Sequence, residues 1–266
     1  AIDVVDEDMA MDLRILRQWP LRQRHARPFV REALEDPPRL GFAQALQRRG
    51  LPRALMTDEG GAMKAATGRL AVYERPNAPF QVLDYPLPPP GPGEVLVRIS
   101  MSTICRSDIH SYQGHRPNPC PGVLGHEIIG VIRAMGRGVH ADMRDDPLAP
   151  GDRITWSEFF VPDRSYAAEI LDLPQKSPGV DKYGHMAAAT SPHHHGGFGE
   201  YCYVLPRSWI LRLPDALTDE EATPINCGVA TMIAVTEAAG IRMGQTVVVQ
   251  GLGLLGLYGA AIAKAR

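Results

Sequence analysis

Six residues, Gln245-Thr-Val-Val-Val-Gln, run without interruption into Gly251-Leu-Gly-Leu-Leu-Gly and then into an apolar stretch at 257–266. An unbroken β-branched run suits a strand buried on both faces, as in a parallel sheet. A glycine triplet that follows such a strand and opens a helix makes a tight strand-to-helix turn. Few folds accommodate that order. The bland alternative is a glycine-rich turn in some other α/β fold.

Each glycine has a separate task in such a turn. Gly251 permits the tight bend, Gly253 lets backbone approach a pyrophosphate, and Gly256 allows close helix–strand packing. The helix N-terminus then faces the phosphates. The acidic residue expected about 20 positions further on, which would meet the ribose, falls beyond Arg266. The cofactor is therefore read as NAD or NADP without separating them. One strand and one helix do not make a dinucleotide-binding sheet, so residues 227–266 read as its beginning only.

The rest of the chain has two other textures. Residues 68–212 carry short β-like runs bounded by Gly, Pro and Asp, at 69–73, 81–82, 95–100, 130–136, 151–156 and 197–204. Among them Val95-Leu-Val-Arg-Ile-Ser alternates as a half-buried strand does. Pro86-Leu-Pro-Pro-Pro-Gly-Pro-Gly-Glu reads as a stiff turn that no central strand could contain. The expected architecture is a β-rich barrel. Thr218-Asp-Glu-Glu then starts a helix, with Thr218 as cap and Glu221 three residues on, and 228–239 reads as a second helix closed at Gly240. Residues 1–62 are helical in pattern, broken by prolines, and carry no chemical motif; they read as an extension of unknown role.

Composition narrows the function classes. The chain has 266 residues, 44% hydrophobic and 22% charged, with a formal net charge of −2. Nothing there points to nucleic acid or an anionic membrane as partner. No spanning helix or signal peptide is read from the sequence, and the cytoplasm is the expected location. Four cysteines are too few and too dispersed to staple a secreted domain of this size.

The cysteines matter instead as ligands. Cys105-Arg106-Ser107-Asp108-Ile109-His110 is answered by Gly125-His126-Glu127, which concentrates thiol, hydroxyl, carboxylate and imidazole in about two dozen residues. Thiolate and imidazole are usual zinc ligands, and a catalytic zinc takes three protein ligands and one open position. Cys227, just ahead of the Gly228 helix, is the third candidate. Taken singly, each cysteine reads as a small buried hydrophobe.

In this order the segments resemble the zinc-dependent medium-chain alcohol dehydrogenases, a GroES-like catalytic domain followed by a Rossmann domain. The likeness rests on Pro90-Gly-Pro-Gly-Glu-Val-Leu-Val, Cys-Arg-Ser-Asp-Ile-His at 105–110, Gly-His-Glu at 125–127 and Gly-Asp-Arg at 151–153. Gly-Gly-Phe-Gly-Glu-Tyr at 196–201, Cys-Gly-Val-Ala-Thr at 227–231 and the glycine triplet complete it. It covers residues 63–266, divided as a GroES-like part at 63–226 and the start of a Rossmann part at 227–266. The stretch 103–117 is also similar to a subgroup proposed to accompany phosphonate catabolism.

The resemblance implies a zinc held by Cys105, His126 and Cys227, with Glu127 beside it and Asp108 orienting His126. It implies a proton relay through Ser107 and His110. Arg106 and Thr231 join Gly251, Gly253 and Gly256 in meeting the cofactor. The implied activity is oxidation of an alcohol to an aldehyde or ketone, or the reverse, on a small-molecule substrate in a homo-oligomer. The alternative expectation is a catalytically incomplete chain that binds zinc and serves as a binding module. One feature departs from the family: the four positions of its second, structural zinc fall at Asp163, Tyr166, Glu169 and Ser177, so a single catalytic zinc is expected. His193-His194-His195 reads as a solvated loop, and Cys120 and Cys202 as buried thiols.

Overall fold

The computed structural model describes residues 66–160, 165–171 and 173–266. The helical reading of residues 1–62 and the position of Asp163 lie outside the described residues. The strands are β1 (Thr67–Tyr73), β2 (Gln81–Pro86), β3 (Val95–Thr103), β4 (Gly122–Val123), β5 (Glu127–Met135), β6 (Arg153–Trp156), β7 (Phe159–Phe160), β8 (Asp181–Lys182), β9 (Tyr201–Val204) and β10 (Ile210–Arg212). The helices are α1 (Arg106–Tyr112), α2 (Tyr166–Glu169), α3 (Asp219–Ala222), α4 (Ala230–Ala238) and α5 (Leu254–Ala265).

Five strands form one sheet in the order β10-β6-β5-β3-β9, and β2-β1-β4 form a second. The alternation read in Val95–Ser100 is what places Val95 and Val97 on the buried face. There they pack with Ile128, Ile132, Ile154, Trp156, Cys202 and Val204. The smaller sheet is stitched to the β9 side through residues 198–200. The Ala71 N–H donates to the Phe198 carbonyl at 2.8 Å, and the Glu200 N–H to that of Arg69 at 3.0 Å. Among the described residues the expected β-rich barrel does not close: β9 and β10 are the two edges of the five-stranded sheet.

The capping reading at Thr218 holds. Its hydroxyl accepts from the Glu221 N–H at 3.3 Å, while Glu221 accepts from the Thr218 N–H at 3.0 Å. The helix read at 228–239 is shorter and begins differently. Ile225–Val229 is a π-helical turn, and the α-helix proper starts at Ala230.

Residues 245–250 correct the sequence reading most sharply. They carry no strand assignment, and Val248 is 85% exposed. Strand identity needs a hydrogen-bonded neighbour, and among the described residues no strand pairs with this segment. The turn after it does have the expected form. Gly251 adopts φ +92°, and a Cβ on Gly256 would lie 1.8 Å from the Gly251 carbonyl oxygen.

The histidine run is also a correction. His194 and His195 are fully buried rather than solvated, while Cys120 is exposed and only Cys202 is the buried thiol expected. Burial drives the His194 imidazole down to about 4, with a weaker opposing pull from the Tyr85 backbone carbonyl, and lowers His195 as well. The unfolded chain therefore binds protons that the folded chain refuses as pH falls from about 6.5 toward 4. Stability should drop across that window, by on the order of 2–3 kcal/mol for His194 once fully developed. Thermal melts between pH 7.5 and 4.5 check this, because His194→Leu should flatten the acid slope. An unchanged slope in the variant would refute the assignment.

Candidate metal centre

Strand register builds the site. β3 and β5 pair antiparallel with Thr103 opposite Glu127. Cys105, two residues past the end of β3, and His126, one residue before β5, therefore emerge at the same end of the sheet. The third segment arrives from below in the chain: the π-helical turn Ile225–Val229 brings Cys227, and Asn226 Nδ2 donates to the His126 carbonyl at 2.7 Å. Ile225 packs against the core of Ile129, Leu213 and Ala222, which seats that turn. Single-turn π geometry recurs at functional sites because it turns a side chain out of helical register.

The result is one tight group. Ligand atoms of Cys105, His126, Glu127 and Cys227 all lie within 4.8 Å of one another. Two thiols, an imidazole and a carboxylate at that spacing are a donor set that suits zinc. His126 is fully buried, Glu127 is nearly so, and the two cysteines are half-buried.

Asp108 is the buried anchor of this group. Its carboxylate accepts from the Cys105 N–H at 2.9 Å, from the Gly125 N–H at 3.1 Å and lies 3.2 Å from His126 Nδ1. A carboxylate there makes Nδ1 the protonated nitrogen, which leaves Nε2 facing the cluster. Ser107 Oγ is 3.4 Å from that Nε2. His110 lies one turn along α1, its ring 5.8 Å from that of His115, and among the described residues no hydrogen bond joins Ser107 to His110. Arg106 and Thr231 are both exposed. Among the described residues the glycine triplet leaves open space around Gly253, where a Cβ would meet nothing within 4 Å.

The electrostatics show groups competing for protons. Hydrogen bonding from Cys227 lowers the Cys105 thiol to about 3 against the opposing effect of burial, with His126 and Ser107 helping. Cys227 moves up, because it shares its proton with Cys105 and is partly buried. Burial pulls His126 down, but Asp108 and Cys105 outweigh it and lift the imidazole to about 10. Burial raises the Glu127 carboxyl, while the Thr103 hydroxyl donates to it and opposes the shift. A cation entering this group must displace protons from Cys227 and His126, so its uptake weakens in acid.

Three contributors escaped the sequence reading: Thr103, which holds Glu127, Asn226, which holds the His126 backbone, and Glu158. The last is close enough to act on both His126 and Cys227. Only the neighbourhood of Thr103 and Asn226 to ligand motifs could have flagged them. Of the second-lobe positions, Tyr166 and Glu169 lie on α2, capped by Ser165, whose hydroxyl donates to Ser177 Oγ at 2.6 Å.

Residues 91–215 match the alcohol dehydrogenase GroES-like domain. A 5-exo-hydroxycamphor dehydrogenase of Pseudomonas putida is 30% identical over 199 residues, covering 74% of this chain and 54% of that protein. An alcohol dehydrogenase structure from Thermotoga maritima superposes with a TM-score of 0.70 at 27% identity, covering 75% of this chain and 55% of that one. Acetophenone reductase from Geotrichum candidum, solved in complex with NAD, gives 0.61 at 28% identity, with 77% and 57% covered. The chain thus spans about half the length of the relatives it matches. With its cluster of donor groups, its ordered motifs and these matches, the chain carries an alcohol dehydrogenase GroES-like domain at residues 91–215.

Proposed function

We propose that this chain carries the metal-binding part of an NAD(P)-linked oxidoreductase that interconverts an alcohol and an aldehyde or ketone. The observation that supports this most is the convergence of Cys105, His126, Glu127 and Cys227 within 4.8 Å. Cys105, His126 and Cys227 would hold one zinc, with Glu127 beside it as an exchangeable oxygen donor. When bound, zinc supplies the charge that lowers the pKa of an alcohol hydroxyl, and a nicotinamide ring accepts the hydride.

The protein's own groups do the rest. Asp108 fixes the His126 ring so that Nε2 points at the cluster. Ser107, whose Oγ lies 3.4 Å from Nε2, would take the hydroxyl proton as it gives up its own toward His110 along α1. That transfer needs a water or a substrate hydroxyl between Ser107 and His110. Arg106 and Thr231 would meet the cofactor, and Gly251, Gly253 and Gly256 its phosphates. The open space at Gly253 and the positive φ of Gly251 fit that use.

The test is alcohol-dependent reduction of NAD+ or NADP+ by the zinc-loaded protein, beside a chelator-treated sample. Turnover in the first that disappears in the second supports the reading. Turnover indifferent to chelation refutes it, and zinc binding without any turnover favours a binding module.

A further inference from the structure

His185 lies beside the cluster without belonging to it. Its ring centroid is 5.7 Å from that of His126, with the rings inclined at 47°. Its Nδ1 sits 3.0 Å from the Tyr183 backbone carbonyl. A carbonyl only accepts, so Nδ1 carries the proton and Nε2 is left with a free lone pair. That Nε2 is buried and, among the described residues, has no hydrogen-bond partner. The loop that presents it is pinned to the ligand segment: Gly184 has φ +70°, and a Cβ there would lie 2.5 Å from the Gly125 carbonyl oxygen. The Gly184 N–H also donates to the His195 carbonyl at 2.9 Å. Buried acceptors are ordinarily paired, and an unpaired one on a fixed loop beside a binding site is an opening for a ligand donor.

We infer that His185 Nε2 accepts a hydrogen bond from a second donor group on the molecule whose reacting hydroxyl is held at the Cys105–His126–Cys227 cluster. The substrate class is then an alcohol with a hydroxyl or ammonium on a carbon near the reacting one, as in vicinal diols, polyols and 1,2-amino alcohols. His185 acts as a specificity-determining residue and takes no part in moving the hydride. This inference rests on the zinc reading above.

The experiment compares 1,2-propanediol, 1-amino-2-propanol and 1-propanol on the zinc-loaded protein labelled with 15N-histidine. The diol or the amino alcohol should bind about tenfold tighter than 1-propanol, the scale of one added hydrogen bond. Its binding should also shift the His185 Nε2 resonance, and which of the two does so identifies the donor. In His185→Phe the preference should shrink to within about twofold with zinc content unchanged, and His185→Gln, which keeps an acceptor, should restore part of it. Equal affinity for all three probes in a zinc-bearing protein, or a preference that survives in His185→Phe, overturns the inference and leaves the zinc reading standing. A protein that retains no zinc overturns both.

Discussion

Cys105→Ala should strip the protein of its metal. Zinc retained after dialysis is expected to fall from about one per chain to near zero, and alcohol-dependent NAD(P) reduction with it. Structural zinc binding is worth about 10–16 kcal/mol in small domains, so losing one of three ligands should weaken affinity by about 10²–10⁴-fold. The natural comparison is Cys120→Ala, whose thiol is exposed and outside the cluster. That variant should keep its zinc. Equal zinc content in the two variants would show that the metal, if any, is held elsewhere.

Asp108 should give the second large effect, in two grades. Its carboxylate serves three donors from three points of the site, and it is 1% exposed. Asp108→Ala leaves those donors buried and unpaired, which should cost about 3–5 kcal/mol of folding stability, read as a shift in the denaturation midpoint. Asp108→Asn keeps the size and one carbonyl oxygen but cannot hold the charge against His126. Its expected cost is about 10–100-fold in zinc affinity with a smaller change in stability, the usual consequence of loosening a ligand's support. If the asparagine variant bound zinc like the wild type, Asp108 would be a purely structural anchor.

The contrast between these two residues also shows what the sequence could convey. Cys105, His126 and Cys227 were legible because each sits in a short ordered motif, and local letters survive in a linear reading. Short strands bounded by glycine and proline were legible for the same reason, and so was the Thr218 capping box. What escaped depends on pairing across the chain. The Thr103–Glu127 register that brings the ligands to one end of the sheet joins residues far apart in sequence. Residues 245–250 read as a strand from their side chains, yet a strand exists only beside a partner. The same limit applies to the barrel: alternation foretold strands but not whether the edges β9 and β10 would meet. His194 and His195 misled in the opposite direction. Their polarity suggests solvent, whereas the fold buries both, His194 between Tyr85 of β2 and Tyr203 of β9.

X-ray absorption at the zinc edge, on protein that has been loaded and then dialysed, tests the central claim most directly. The account predicts a first shell of two sulfurs at about 2.3 Å and one imidazole nitrogen at about 2.0 Å, completed by one further light atom. A shell of light atoms alone, or a protein that retains no zinc, would contradict it.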